Sequence, residues 1–194
     1  MATKKALHTR EAILEAARFI VQKEGVDALS MDHLAQVAHM SKGAVTYHFK
    51  SKRELNRALL EDYAEHLRSG LKSHEDNYIG GPEDTLVPAY ADWFRDFDRS
   101  SHGWAQLGVH LLSQQVKDPE LVRPVREWYA EVARRAEAFP KERQPRVLTA
   151  VMALEGLFFV HKFGLDVLSE EQKQEILSFL TGELCPSAAA RKDS

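Results

Sequence analysis

Residues 30–49 read Ser30-Met31-Asp32-His33-Leu34-Ala35-Gln36-Val37-Ala38-His39-Met40-Ser41-Lys42-Gly43-Ala44-Val45-Thr46-Tyr47-His48-Phe49. Leu34 and Ala38 lie one helical step apart, and Ser30 is placed to cap the free N–H groups of the helix that holds them. A break at His39-Met40 separates this helix from a second, running from about Ser41 to His48. Nucleating a helix is costly, so two helices this short persist only when packed on a scaffold. Ala35 is small enough for them to approach closely, and Leu34, Ala38, Met40, Val45 and Phe49 supply apolar contacts. The spacing predicts a helix-turn-helix.

The flanking sequence supplies the scaffold. Upstream, Ile13, Ala16, Ala17, Ile20 and Val21 fall on one helical face, with Thr9 as expected N-cap and Gly25 as expected stop. Downstream, Ser51-Lys52-Arg53-Glu54 reads as a capping box opening a long helix through Leu55, Leu59, Tyr63 and Leu67. Ser73 to Asp84, with Gly80-Gly81-Pro82, reads as a loop. Leu86, Tyr90, Trp93, Phe94 and Phe97 then share a face, and after Gly103 so do Trp104, Leu107 and Leu111. Pro119 is expected in the first turn of a helix carrying Val122, Val125, Tyr129, Val132, Ala136 and Phe139. Two last helices are predicted, one from about Arg146 to Phe163 and one after Ser169, whose Ser-x-x-Gln pattern is a second capping box. No strand alternation stands out. The expectation is an all-α chain: a three-helix helix-turn-helix domain over residues 1–51, a second helical domain over 52–185, and a disordered tail over 186–194.

Composition agrees with a globular chain. Of 194 residues, 44% are hydrophobic, enough for a sizeable core, and 28% are charged. The net charge of −3 is uninformative, but its distribution is not. Residues 1–60 hold ten Lys/Arg against six Asp/Glu, and the remainder holds 16 against 23. A basic head on an acidic body suits a chain that presents one end to a polyanion. The single cysteine, Cys185, allows no intrachain disulfide. Neither an apolar leader at Met1 to Arg10 nor a membrane-spanning stretch is evident, so a cytoplasmic protein without membrane attachment is expected.

From Thr9 to Leu55 the chain resembles the DNA-binding domain of the TetR (tetracycline repressor) family. The resemblance rests on Thr9-Arg10-Glu11, Ile13-Leu14, Ala16-Ala17, Phe19, Gly25, Ser30-Met31, Leu34-Ala35, Ala38, Met40-Ser41-Lys42-Gly43, His48-Phe49, Ser51-Lys52 and Leu55. Two positions depart from the family pattern: His39 stands where glycine is usual in the turn, and Thr46 precedes Tyr47 where the family often has tyrosine. The resemblance implies that the second helix enters the major groove of operator DNA. Lys42 is then the candidate for a guanine O6/N7 contact, Gly43 gives room, and Ala44 meets a thymine methyl. Thr46, Tyr47 and His48 are expected at phosphates; Ser30, Ser41 and Lys52, at helix starts, are expected beside them. Lys4, Lys5 and Arg10 are expected to form a flexible basic arm.

The body is less specific. The penultimate helix carries one apolar stripe of Val147, Val151, Leu154 and Phe158, and another of Leu148, Met152 and Phe159. Two apolar faces need two partners. The resemblance implies that the last two helices form a four-helix bundle in a homodimer; a monomer with this helix buried is the alternative. It also implies a small-molecule ligand, with Trp93, Phe94, Phe97, Trp104, Leu107, His110, Leu111, Met152, Glu155 and Phe159 as candidate lining. These aromatics serve an ordinary core equally well. Glu155 either orients a cationic or hydrogen-bonding ligand or pairs structurally with an arginine. The function expected is a ligand-released repressor, with an activator or ligand-independent regulator as the alternative. A helical enzyme is remote, because no nucleophile elbow, P-loop or zinc-protease motif occurs. No cofactor and no metal site is expected; His33, His39 and His48 lack completing ligands.

Overall fold

The computed structural model describes residues 4–99, 103–113 and 118–192. In chain order the elements are α1 (Lys4–Glu24), α2 (Met31–Val37), α3 (Lys42–His48), α4 (Lys52–Glu75), the short strand β1 (Tyr78–Ile79), α5 (Pro82–Arg99), α6 (Gly103–Leu112), α7 (Arg123–Glu137), α8 (Gln144–Lys162), α9 (Glu170–Ser178) and the short strand β2 (Ala190–Arg191). A 3-10 turn, Val26–Ala28, follows α1, and α9 runs on into a π-helical turn, Phe179–Leu184. The all-α expectation holds. The chain divides into two compact units: residues 1–65 with 103–126, and residues 66–102 with 127–194.

In the first unit, the stripe expected on α1 is the one removed from water: Ile13, Ala17, Ile20 and Val21 are fully buried. Leu34 and Ala35 of α2, Val45 of α3, Phe49 just beyond it, and Leu55 and Leu59 of α4 are buried as well. Each of the larger side chains among them contributes about 1.5–3 kcal/mol relative to exposure. α6 packs along α1 and buries Leu107 and Leu111. Gly108 faces Tyr63: a Cβ there would sit 2.4 Å from the Tyr63 hydroxyl oxygen. The missing side chain is what admits the ring.

In the second unit, α5 and α8 pack together. Their buried faces carry Leu86, Tyr90, Trp93 and Phe94 on α5, and Val147, Val151, Leu154 and Phe158 on α8. Trp128 and Val132 of α7 and Leu177 and Leu180 near the C-terminal end are buried in the same unit. Gly70 on α4 lies against Trp93, whose ring would be 2.8 Å from a Cβ. The capping box at Ser169 is complete: Gln172 N donates to Ser169 Oγ (3.2 Å) and Ser169 N donates to Gln172 Oε1 (2.9 Å).

Several local expectations are corrected. Thr9 is inside α1, not its cap, because the helix continues a turn and more beyond its buried stripe. Lys4 and Lys5 are accordingly helical rather than a flexible arm. At Ser51 only half of the predicted box forms: Glu54 N donates to Ser51 Oγ (3.2 Å), but the Glu54 carboxylate accepts from Lys50 N (2.7 Å). Pro119 sits in the turn before α7, and Pro124 takes the first-turn role instead. The loop at 73–84 is shorter than expected, since α4 persists to Glu75 and α5 starts at Pro82. Strands β1 and β2 pair antiparallel, Tyr78 opposite Arg191 and Ile79 opposite Ala190. Ser187 Oγ also donates to Asp84 O (2.6 Å), and Lys192 Nζ to Asp76 O (2.7 Å). These bonds run to main-chain groups, which side-chain patterning does not reveal. Among the described residues, no helix is long and apolar enough to cross a membrane.

Candidate functional site

Two serine caps and one strained turn build the α2–α3 pair. Ser30 Oγ accepts from His33 N (3.2 Å) at the start of α2, and Ser41 Oγ accepts from Ala44 N (3.1 Å) at the start of α3. Each hydroxyl keeps its own proton to donate elsewhere. Between the helices, Met40 N donates to Ala35 O (2.9 Å) and His39 N to Gln36 O (3.1 Å). This is a Schellman-type stop, and His39 occupies its left-handed position with φ 52°. The break expected at His39-Met40 is therefore real, with the usual glycine replaced by a residue that tolerates positive φ better than most.

α3 presents two contrasting faces. Val45 and Phe49 are buried, and the Arg10 guanidinium lies 5.0 Å from the Phe49 ring centre. Lys42 and Gly43 are exposed, as is Tyr47 at 71%. A Cβ on Gly43 would meet only Ser41 Oγ, at 3.8 Å. Nothing inside the fold requires glycine there, so the room it leaves lies outward. The Thr46 hydroxyl donates to Lys42 O (2.7 Å), with Gly43 O at 3.2 Å. Its proton is thus held by the helix backbone. The Tyr47 ring meets His48 edge-on at 5.1 Å and has Lys50 Nζ 5.4 Å from its centre.

The structure adds a partner that sequence reasoning missed. Lys42 Nζ lies 2.9 Å from Asp32 Oδ1 and 3.0 Å from Asp32 Oδ2. Both side chains are largely exposed, and the pair bridges α2 to the first residue of α3. A spacing of ten residues across a turn has no helical signature, so only the fold brings them together. Lys52 is half-buried, its Nζ 3.5 Å from Asp27 O. Arg53 pairs with Asp118 (2.6 Å), and that hydrogen bond holds the Asp118 carboxyl below its ordinary value. Ser30, Ser41, Lys42, Gly43, Ala44, Thr46, Tyr47, His48 and Lys52 all belong to this α2–α3–α4 surface; the side chains of Lys4 and Lys5 lie outside the described residues.

The candidate pocket residues divide between the two units. Trp104, Leu107, His110 and Leu111 belong to the first. There Trp104 stacks on Tyr63 with ring centres 6.5 Å apart, and a Cβ at Gly25 would meet the His110 ring at 3.7 Å. Trp93, Phe94 and Phe97 belong to the second unit and converge on Phe158, at 4.9, 5.1 and 5.1 Å. Glu155 adjoins this cluster, accepting from Tyr90 and from Tyr129 (2.9 Å). Burial, then the Glu155 charge, pushes the Tyr90 hydroxyl well above its ordinary value. Met152 and Phe159 face the other way, 60% and 55% exposed. Seven residues separate them, so they share one outward stripe of α8 with Leu148 and do not line an interior space.

Residues 13–59 match the family model for bacterial regulatory proteins of the tetR family, and residues 84–184 match the tetracyclin repressor-like C-terminal domain. The HTH-type transcriptional regulator TtgR of Pseudomonas putida is 35% identical over 75 residues, covering 37% of this chain and 36% of that protein. An HTH-type transcriptional repressor of Mycobacterium tuberculosis is 30% identical over 115 residues, covering 54% of this chain and 60% of that protein. These matches thus leave a large part of each relative unmatched. Multidrug binding protein EbrR, solved with imidazole, superposes with a TM-score of 0.68 at 24% identity over 88% of both chains. Other EbrR structures hold malachite green or ethidium.

Proposed function

The chain belongs to the TetR family of bacterial transcriptional regulators, and from that membership we propose a homodimeric repressor that reads operator DNA through α3 and is released when a small molecule binds its helical body. The observation that carries the reading is the outer face of α3, where Lys42, Gly43 and Tyr47 stand exposed above the buried Val45 and Phe49. A helix so held offers its N-terminal residues to base edges and its flanks to phosphates. Lys42 takes the guanine contact and Ala44 the thymine methyl. The Thr46 hydroxyl is engaged by its own helix, which favours Tyr47 as the phosphate donor. Ser30, Ser41 and Lys52 meet the same backbone at helix starts.

In this reading residues 1–51 hold the DNA-binding function, and 52–185 hold dimerisation and ligand response. Dimerisation rests on α8. Its inner stripe is buried, while Leu148, Met152 and Phe159 remain exposed, together with Phe163 and, on the turn after α9, Phe179. A patch of this kind marks an interaction surface. A second copy is the occupant we assign, since two heads on a two-fold axis match a palindrome. The EbrR structures with malachite green and ethidium support a small molecule as the ligand, and release is the response we assign to it. Such a ligand weakens operator binding only by as much as it prefers the conformation that does not bind DNA.

Selection of bound sequences from a random duplex library, at near-physiological salt, tests the central claim. The expected product is a palindrome whose half-sites lie about one helical turn apart or a multiple of it. Enrichment of no motif, with only salt-sensitive binding, removes the claim.

A further inference from the structure

The aromatic cluster of the second unit contains two charges of opposite sign on one helix. Glu155 and Lys162 are seven residues apart on α8, so they project from the same side, about 10 Å apart along the axis. Their circumstances differ. Both Glu155 oxygens accept phenolic hydrogen bonds, one from Tyr90 and one from Tyr129. A carboxylate so engaged is poorly placed to serve as counter-ion for a ligand cation.

Lys162 has no comparable satisfaction. Its Nζ lies 5.2 Å from the ring centre of Phe158 and 5.7 Å from that of Phe97. Among the described residues it makes no hydrogen bond and no ion pair. The carboxylate nearest in sequence, Asp166, lies 2.9 Å from His161 Nδ1 and 3.9 Å from Lys173 Nζ, and forms no ion pair with Lys162. Burial draws the Lys162 ammonium below its ordinary value, and the Glu155 charge opposes that only in part. Ring faces attract a cation but carry no net charge to neutralise it, and the half-buried side chain keeps only part of its access to water. What this ammonium lacks is an anion.

We propose that Lys162, seated on the Phe97–Phe158 ring pair, is the receptor for an organic carboxylate whose apolar, flat portion lies on the half-buried Phe97. The chemistry is reciprocal. The carboxylate supplies the missing charge-assisted hydrogen bond, and the ligand's ring extends an aromatic surface that already runs from Phe97 through Phe158 to Trp93. This assigns the ligand class for the ligand-released reading above, on which its regulatory meaning rests. It also departs from one of the two roles the sequence leaves open for Glu155, that of orienting a cationic or hydrogen-bonding ligand.

The test is calorimetric titration of the full chain with 2-naphthoate and with 2-naphthylmethylammonium, which match in ring system but carry opposite charge. The acid is expected to bind at least about tenfold more tightly than the amine, as a charge-assisted contact in a poorly solvated site implies. Lys162→Met keeps an unbranched side chain over the rings and is expected to lose about tenfold in naphthoate affinity, while Lys162→Arg keeps most of it. Melting curves of both variants show that they are folded. Absence of naphthoate binding, equal binding of the two probes, or unchanged affinity in folded Lys162→Met overturns the assignment. Adding naphthoate to the operator complex separates the two levels of the argument. Binding that leaves the complex intact keeps the anion site and removes ligand release.

Discussion

Two lysines, Lys42 on the exposed face of α3 and Lys162 in the aromatic cluster, show how differently one side chain behaves in two surroundings. Lys42 is solvated and shares a proton-bearing contact with Asp32, another exposed group. In water such a pair is worth little, so Lys42 is readily exchanged onto another acceptor. Lys162 lies against Phe97 and Phe158 with no acceptor among the described residues. The first is poised to change partners; the second is poised to gain one. The comparison generalises: substitutions of the cluster's buried rings are to be read in stability, and substitutions of Lys162 and of the α3 face in binding.

The largest effect expected from this contrast is at Phe158. Its ring is 2% exposed and meets those of Tyr90, Trp93, Phe94 and Phe97. Phe158→Ala is expected to cost about 3–5 kcal/mol in denaturant unfolding, from lost transfer energy and the cavity left behind. A loss below about 1 kcal/mol would show that the cluster collapses freely and is not the tight interior described.

On the α3 face, Lys42→Ala is expected to leave unfolding unchanged within about 0.5 kcal/mol, as for most exposed positions. It should instead cost about 1–3 kcal/mol of discrimination at one base pair of the selected operator. Lys52→Ala should weaken binding evenly across sequences and lower the salt slope by about one. Identical binding profiles for the two variants would erase the distinction between base reading and phosphate anchoring.

How much of this was legible in sequence depends on the distance over which each feature is encoded. The α1 stripe, the α2–α3 break and the Ser169 box are written in residues three to eight positions apart, and the structure reproduces them. The two faces of α8 were equally visible, although the sequence did not say which stripe is buried. Choosing Val147, Val151, Leu154 and Phe158 took the rest of the unit. Met152 and Phe159 were assigned to a pocket for the same reason: apolar character does not reveal direction. Side-chain partnerships across elements were the least visible. Asp32 with Lys42, and Tyr90 with Tyr129 on Glu155, join residues whose spacing carries no periodic signal. The β1–β2 pairing is made by main-chain groups and leaves no mark in hydropathy.

A smaller effect is expected at the turn. His39 holds φ 52°, where a Cβ is strained, and is exposed. His39→Gly removes that strain, which is worth about 1–2 kcal/mol, but increases the freedom of the unfolded chain. A net gain of about 1 kcal/mol in thermal unfolding is expected, with little change in DNA affinity. A loss of DNA affinity without a loss of stability would instead make His39 part of the binding surface.

The smallest and most discriminating expectation concerns Asp32. Its carboxylate adjoins both Lys42 and the N-terminal turn of α2, so Asp32→Asn removes an exposed ion pair and a favourable dipole contact. Each is worth only about 0.3–1 kcal/mol, and stability should fall within that range. DNA binding should move the other way, because a negative charge beside phosphates is lost and Lys42 is freed. Two mechanisms then separate. If Asp32 acts only through its charge, affinity for the selected operator and for a scrambled duplex rises by the same factor. If Asp32 holds Lys42 in the direction of the base edge, the scrambled duplex gains more than the operator, and their ratio falls. The ratio is insensitive to overall charge, so it reports geometry alone, and a ratio that does not move leaves Asp32 as a simple electrostatic brake on Lys42.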